Sequence, residues 1–237
     1  YFASSIASSN DKAQPPFNEE NLRALAKITL GGTFCEPASQ DYTTTAMILL
    51  ELARVDASVA TTWMVHSGIS MVAIALGGSE AQKQKYLPRM SRYELLGSFA
   101  LTEPDLGSDA SNMNTNAVYD KERNGYVING QKRWIGNAYA AGVNVIWAKV
   151  GSDQVGGFLV EKGTPGMTVK VIENKIAMRG VQNCDIEFNS DVAVAQYRDR
   201  SDCLLEFTDR IPARVTGVML LDRASVESNR CHTLVGT

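Results

Sequence analysis

The chain has 237 residues, 44% hydrophobic and 21% charged, with 19 Gly and 7 Pro. A chain this long buries about 70% of its unfolded surface, so it needs neither a disulfide framework nor a metal to fold, and its composition excludes collagen-like and disordered classes. Twenty-three Lys and Arg against 26 Asp and Glu give a net charge of −3, without the basic stripe that marks nucleic-acid binding.

Residues 1–17 read as a flexible lead containing Pro15-Pro16. Its Ser- and Ala-rich start, with Asp11 as the first acidic residue, suits either a chain processed after removal of an organelle-targeting segment or a fragment. A mitochondrial location is expected, with the peroxisome as alternative. Asn18 caps a first helix with Glu19 and Glu20 in its opening turn, and Gly31-Gly32 stops it. A second helix begins near Thr44, with Met47, Leu50 and Ala53 as its apolar side. No Asp, Glu, Lys or Arg occurs between Asp56 and Glu80. That is long enough to cross a bilayer, but Ser58, Thr61, Thr62, His66, Ser67 and Ser70 interrupt it, so a buried helix is expected and not a transmembrane segment. Ser79 and Gln82 form a capping box for a fourth helix that Pro88 ends. Residues 18–91 are thus expected to be a helical domain.

The pattern changes after residue 92. Leu95 to Leu101 is an apolar run, and turn formers follow from Thr102-Glu103-Pro104 to Gly107-Ser108-Asp109. Asn129-Gly130 lies between two strand-like runs and reads as a hairpin. Val143–Val150, 157–160, 167–171 and 185–188 read as further strands. The expectation is an antiparallel barrel or sandwich over residues 92–195. Residues 196–237 hold one more helix, opened by Pro212 with Val215, Met219 and Leu220 on its apolar side. The predicted fold is therefore α+β: an N-terminal helical domain, an antiparallel β-barrel and a residual C-terminal helix. That last helix needs a partner surface, since a lone amphipathic helix is unstable.

The four cysteines are scattered, and His66 and His232 are the only histidines. No metal site is expected, and the cysteines are expected to be reduced. No phosphate loop, dinucleotide fingerprint or zinc-hydrolase motif is present. Four segments are more specific. They are Ala53-Arg54-Val55-Asp56-Ala57-Ser58, Gly78-Ser79-Glu80-Ala81-Gln82-Lys83 with Tyr86-Leu87-Pro88, Leu101-Thr102-Glu103-Pro104 with Gly107-Ser108-Asp109, and Asn129-Gly130-Gln131-Lys132-Arg133-Trp134-Ile135. In this order and spacing they resemble the acyl-CoA dehydrogenase/acyl-CoA oxidase family, nearest to plant-type short-chain acyl-CoA oxidases and the glutaryl-CoA dehydrogenase branch. The resemblance covers about residues 20–190.

The resemblance implies a flavoprotein oxidoreductase of fatty acid metabolism that binds FAD. It implies that Phe99, Leu101 and Thr102 line the flavin, with the Thr102 hydroxyl bonding its pyrimidine end. Ser108 would reach a flavin or acyl-CoA phosphate, and Trp134 would stack beside the ring. Gly136 stands where dehydrogenases of the family commonly carry a Thr near flavin N5, a loss that is expected to open space for oxygen. Ala60 replaces the Arg that holds a distal carboxylate in the glutaryl branch, so an uncharged short acyl chain is the expected substrate. The catalytic Glu of the family belongs to a C-terminal helical domain of which only a first helix, about 213–233, is expected here. No residue of this chain is therefore assigned a catalytic role, with Glu206 and Glu227 read as solvated. Two functions follow: FAD-dependent α,β-dehydrogenation of short-chain acyl-CoA, in a chain not competent alone, or a non-catalytic accessory subunit of a larger mitochondrial assembly.

Overall fold

The computed structural model describes Leu25, Lys27, and residues 42–122, 125–151, 154–189, 194–195 and 204–205. Of the first expected helix only Leu25 and Lys27 are described, both helical. The lead, its Pro15-Pro16 and the helix after Pro212 lie outside these residues. Three helices follow: α1 (Tyr42–Val55), α2 (Ala57–Gly77) and α3 (Glu80–Ser91). The sheet holds β1 (Gly97–Ala100), β2 (Asn116–Asp120), β3 (Gly125–Gly136), β4 (Val143–Val150), β5 (Gln154–Glu161), β6 (Met167–Val171), β7 (Asn183–Phe188), β8 (Val194–Ala195) and β9 (Leu204–Leu205).

The helix signals in the sequence act as local chemistry requires. The Asp56 carboxylate accepts from the Ser58 N–H at 2.6 Å and caps α2. Ser79 and Gln82 close the expected capping box on α3. Pro88 does not end α3, which runs on to Ser91. A proline there forfeits the bond from its missing N–H and crowds the Gln84 carbonyl, which strains a helix without having to end it. The face expected of α1 is also wrong. Met47 and Leu50 are 61% and 65% exposed, while Leu52 is buried with Ile48 and Leu49 packed beside it. The helix is apolar on more than one side, so periodicity alone does not choose.

The uncharged helix α2 is long and apolar enough to cross a membrane by length and composition. Its middle turn, Met64–Ser70, is π-helical, and this wider turn carries the buried His66, Ser67 and Ser70. Those residues seat it on β1. The Gly97 N–H donates to His66 Nδ1 at 3.0 Å, so the proton sits on Nε2, which donates to the Met90 carbonyl at 3.0 Å. Only glycine fits at 97, because a Cβ there would lie 2.3 Å from Ser70 Oγ and 2.5 Å from Met90 Cε. On the far side of α3, Tyr86 Oη donates to Glu161 Oε1 at 2.9 Å.

The strands run β6-β7-β3-β2-β4-β5-β9, a curled sheet that is largely antiparallel. Two pairings differ from the expected antiparallel barrel: β1 runs parallel to β4, and β2 meets β4 in parallel at Asn116 and Lys149. β2 itself is not foreseen by the sequence reading. Asn129-Gly130 is not a hairpin. It lies inside β3, where that strand leaves β2 (pairs through Asn129) and takes up β7 (pairs from Gly130). Gly130 has φ +137, and a Cβ on it would fall 2.6 Å from Thr115 Oγ1. Glycine is needed there for a strand crossing, not for a turn.

Two cores result. Inside the curl, Tyr126, Ile128, Ile146, Phe158, Ile186 and Phe188 pack together. Between helices and sheet, Met71, Ile74 and Met90 meet Phe99, Leu101, Val145 and Trp147. β4 is buried on both faces, which explains its unbroken apolar run.

His66 makes this interface sensitive to pH. Burial pulls its pKa down to about 4, against a smaller rise from the Met90 carbonyl. The unfolded chain takes up a proton below about 6.5 that the folded chain refuses until about 4. Stability is complete above that window and falls by roughly 3 kcal/mol as pH drops through it. Urea titrations between pH 7 and 4 read this slope, and His66→Gln should flatten it even though its starting stability is lower.

Candidate functional site

β1 leads directly into the Thr-Glu-Pro segment, and the charge that anchors that segment is internal. Glu103 is 4% exposed and Lys132 of β3 is fully buried. Lys132 Nζ donates to Glu103 Oε1 at 2.9 Å and to the Leu101 carbonyl at 3.0 Å. Glu103 also accepts the Asn114 N–H at 2.6 Å and the Thr115 N–H at 2.9 Å. Desolvation pushes the Glu103 carboxyl upward, but hydrogen bonds from Thr115, Asn114 and Lys132 outweigh it and hold the group below its usual range. Burial brings Lys132 down to about 8, with Glu103 opposing the fall. Both groups are ionised near neutrality.

The pair draws the Thr102 turn against β3. The Arg133 N–H donates to the Thr102 carbonyl at 2.8 Å, so Thr102 lies beside the residue that precedes Trp134. There β3 bulges: Lys132 pairs with Ile186 and Ile135 with Cys184, leaving Arg133 and Trp134 opposite Asp185 alone. Trp134 has φ +62, a conformation that costs a bulky residue about 1–2 kcal/mol. The bulge turns its indole outward, 52% exposed. The Arg133 guanidinium lies 5.3 Å from the indole centroid. Asn183 Nδ2 donates to the Trp134 carbonyl at 3.0 Å.

The six residues singled out in the sequence do not form one surface. Thr102, half-buried, and Trp134 share a neighbourhood. Gly136 ends the same strand, but the direction of its missing side chain is not open: a Cβ would stand 3.3 Å from Val65 Cγ2 and 3.6 Å from Val181 Cγ1. Phe99 and Leu101 are packed in the helix–sheet core, Phe99 with its ring centroid 5.6 Å from that of Trp147. Ser108 is exposed on the turn beyond Pro104, next to Gly107, where a Cβ would meet nothing within 4 Å. Ala60 is buried among Leu25, Leu52, Trp63 and Val72.

The sequence reading missed the roles of Glu103 and Lys132, although both sit inside the quoted motifs. One signal was available. Lys132 falls in phase with the inward Tyr126 and Ile128 on a strand whose side chains alternate. A lysine in that phase demands a buried carboxylate.

Comparison with known proteins agrees with this architecture. The family described as "Acyl-CoA dehydrogenase, N-terminal domain" matches residues 6–94, and "Acyl-CoA dehydrogenase, middle domain" matches residues 98–190. Cyclohex-1-ene-1-carbonyl-CoA dehydrogenase of Syntrophus aciditrophicus is 40% identical over 172 residues, which is 70% of this chain and 40% of that protein. A glutaryl-CoA dehydrogenase of Mycobacterium smegmatis, solved in complex with FADH2, superposes with a TM-score of 0.74 at 26% identity, covering 90% of this chain and 56% of that one. An acyl-CoA dehydrogenase of Bacillus anthracis complexed with FAD gives 0.70 at 30% identity, covering 79% and 32%. The chain thus spans about two fifths of the length of the curated relative it matches.

Breaking the buried pair from one side leaves a charge without its counterpart, at a cost of roughly 3–5 kcal/mol. Lys132→Met and Glu103→Gln should each lower the urea midpoint strongly. The double variant Glu103→Gln with Lys132→Met should lose less than the sum of the singles.

Proposed function

Because the chain belongs to the acyl-CoA dehydrogenase family, we propose that it binds FAD against Trp134 and Thr102 and serves the α,β-dehydrogenation of an acyl-CoA whose acyl chain is uncharged. The observation that carries this reading is the Arg133 N–H to Thr102 carbonyl bond, which sets the Thr-Glu-Pro turn beside a half-exposed indole. An indole held outward at a strained bulge suits a flat heteroaromatic ring, and a strained backbone at such a place is a mark of function. FAD, when bound, supplies the acceptor for the hydride that leaves the β-carbon.

Each residue then has a limited duty. The Trp134 ring gives one face of the cofactor an apolar wall. The Thr102 hydroxyl would serve as a hydrogen-bonding group to the ring's edge. The open turn at Gly107-Ser108 presents backbone amides to an anionic group such as a phosphate. Ala60, set among apolar side chains, offers no cation to a distal carboxylate, so the acyl chain is uncharged. Glu103 adjoins Thr102 in sequence but is not the base that removes the α-proton. Its oxygens already accept from Lys132, Asn114 and Thr115. No described residue is assigned that role.

A second reading, an accessory chain within a larger assembly, is favoured by Met47 and Leu50, whose apolar side chains stand exposed on α1. One experiment separates the two. The purified chain is incubated with FAD, desalted, and assayed for the flavin's visible bands and for turnover of a butyryl-CoA-like thioester with a dye as acceptor. Flavin retained with turnover supports the enzyme. Flavin retained without turnover, together with co-purification in fixed stoichiometry, supports the accessory chain. A colourless protein overturns FAD binding at this site. Trp134→Ala should weaken FAD retention about tenfold, in line with the ~1.4 kcal/mol that aromatic stacking contributes.

A further inference from the structure

The loop between β6 and β7 contains an ammonium whose donors are all engaged. Lys175 Nζ donates to the Met178 carbonyl at 2.8 Å, to the Val181 carbonyl, and to Asn183 Oδ1 at 2.7 Å. A lysine has three donors, so none is left over. At its base the loop is closed by the Ile172 N–H to Asn183 carbonyl bond, at 2.8 Å, and the Val181 N–H to Met178 carbonyl bond, at 3.1 Å, but its tip has no such support. Ile176 is fully exposed and Met178 is 41% exposed, so the tip buries no apolar core of its own. Asn174 and Met178 both stand at positive φ, +57 and +50, and such backbone persists only where surrounding contacts over-determine it. The ammonium supplies those contacts from the centre of the loop.

The same ammonium reaches the bulge through one side chain. Asn183 opens β7 and pairs with Gly136. With its Oδ1 held by Lys175, its amide is oriented and Nδ2 points to the Trp134 carbonyl. The bulge has no ladder partner of its own at that point, because the register jumps from Lys132 to Ile135. This amide bond is what restrains the strained Trp134 peptide from the β7 side. The loop is fixed independently at its far end, where the Gly180 N–H donates to Ser58 Oγ at 3.2 Å.

We propose that Lys175 is a positioning residue for Trp134, orienting the Asn183 amide that fixes the bulged Trp134 carbonyl and hence the indole face presented to a planar ligand. The part concerning the ligand rests on the FAD reading above. The positioning itself does not.

The test is fluorescence of the full chain, with and without FAD. Trp63 and Trp147 are 0% and 3% exposed against 52% for Trp134, so acrylamide-accessible tryptophan emission reports on Trp134. Asn183→Ala deletes only the link and leaves Lys175 its two loop carbonyls. It should shift the accessible emission and change its quenching. Lys175→Met should produce the same change, and the double variant no more than either single, because linked residues are not additive. In a Trp134→Phe background neither substitution should alter the emission. If Lys175→Met fails to fold by circular dichroism, Asn183→Ala decides alone.

Wild-type emission and quenching in Asn183→Ala would overturn the proposal, and so would additive effects of the two substitutions. The FAD reading fails separately. A wild-type chain that never retains flavin, yet shows the emission shift in Asn183→Ala, keeps the positioning role and loses the cofactor. Unchanged emission in Asn183→Ala, with flavin lost in Trp134→Ala, does the reverse.

Discussion

The buried pair of Glu103 and Lys132 is the constraint from which the site follows. Taking two charges out of water costs several kcal/mol for each, and their attraction offsets that only when the remaining donors and acceptors are satisfied. Here they are. Glu103 collects two backbone N–H groups besides Lys132, and Lys132 also serves the Leu101 carbonyl. Three separate stretches are thereby tied at one point: the exit of β1, the segment around Asn114-Thr115, and the middle of β3. An apolar cluster at the same place would tolerate sliding. Hydrogen-bonded charges do not, so the register of β3 is set there, and the bulge that turns Trp134 outward begins one residue later.

The helices meet the sheet through a different kind of contact. The π-helical turn of α2 sets His66 between the Met90 carbonyl and the Gly97 N–H, a neutral imidazole acting as donor on one side and acceptor on the other. Gly97 permits the approach because Ser70 and Met90 already occupy the space of its side chain. Phe99 and Leu101 are consumed by the same interface. This is why two residues of the motif that resembles a flavin-lining segment are core residues in their side chains. Thr102, the next in phase on the opposite side, is the one left at the surface of the site.

Strain at Trp134 is consistent with this division of labour. A tryptophan at φ +62 in a strand would relax if its neighbours allowed it. Its neighbours do not: Arg133 is bonded to Thr102, and Asn183 holds the Trp134 carbonyl. The side chain so presented has no apolar partner sufficient to bury it, and an exposed aromatic on a rigid mount is a feature of recognition more than of folding.

The sequence by itself determined the helical first part, the capping at Asp56 and Ser79, and most of the strands, because caps and alternation act over a few residues. Val143–Val150 and Met167–Val171 fall where their patterns place them. The motif order also carried the family. Tertiary structure decided what depends on partners distant in the chain. Asn129-Gly130 has the local signature of a turn, but Thr115 crosses it and β3 continues. Met47 and Leu50 match the helical period, yet the core took Leu52. Lys132 is one charge among 23 basic residues until Glu103, 29 positions earlier, is brought to 2.9 Å from it. Periodicity records which side chains share a face, but only packing across the fold settles which face is buried and which charges meet.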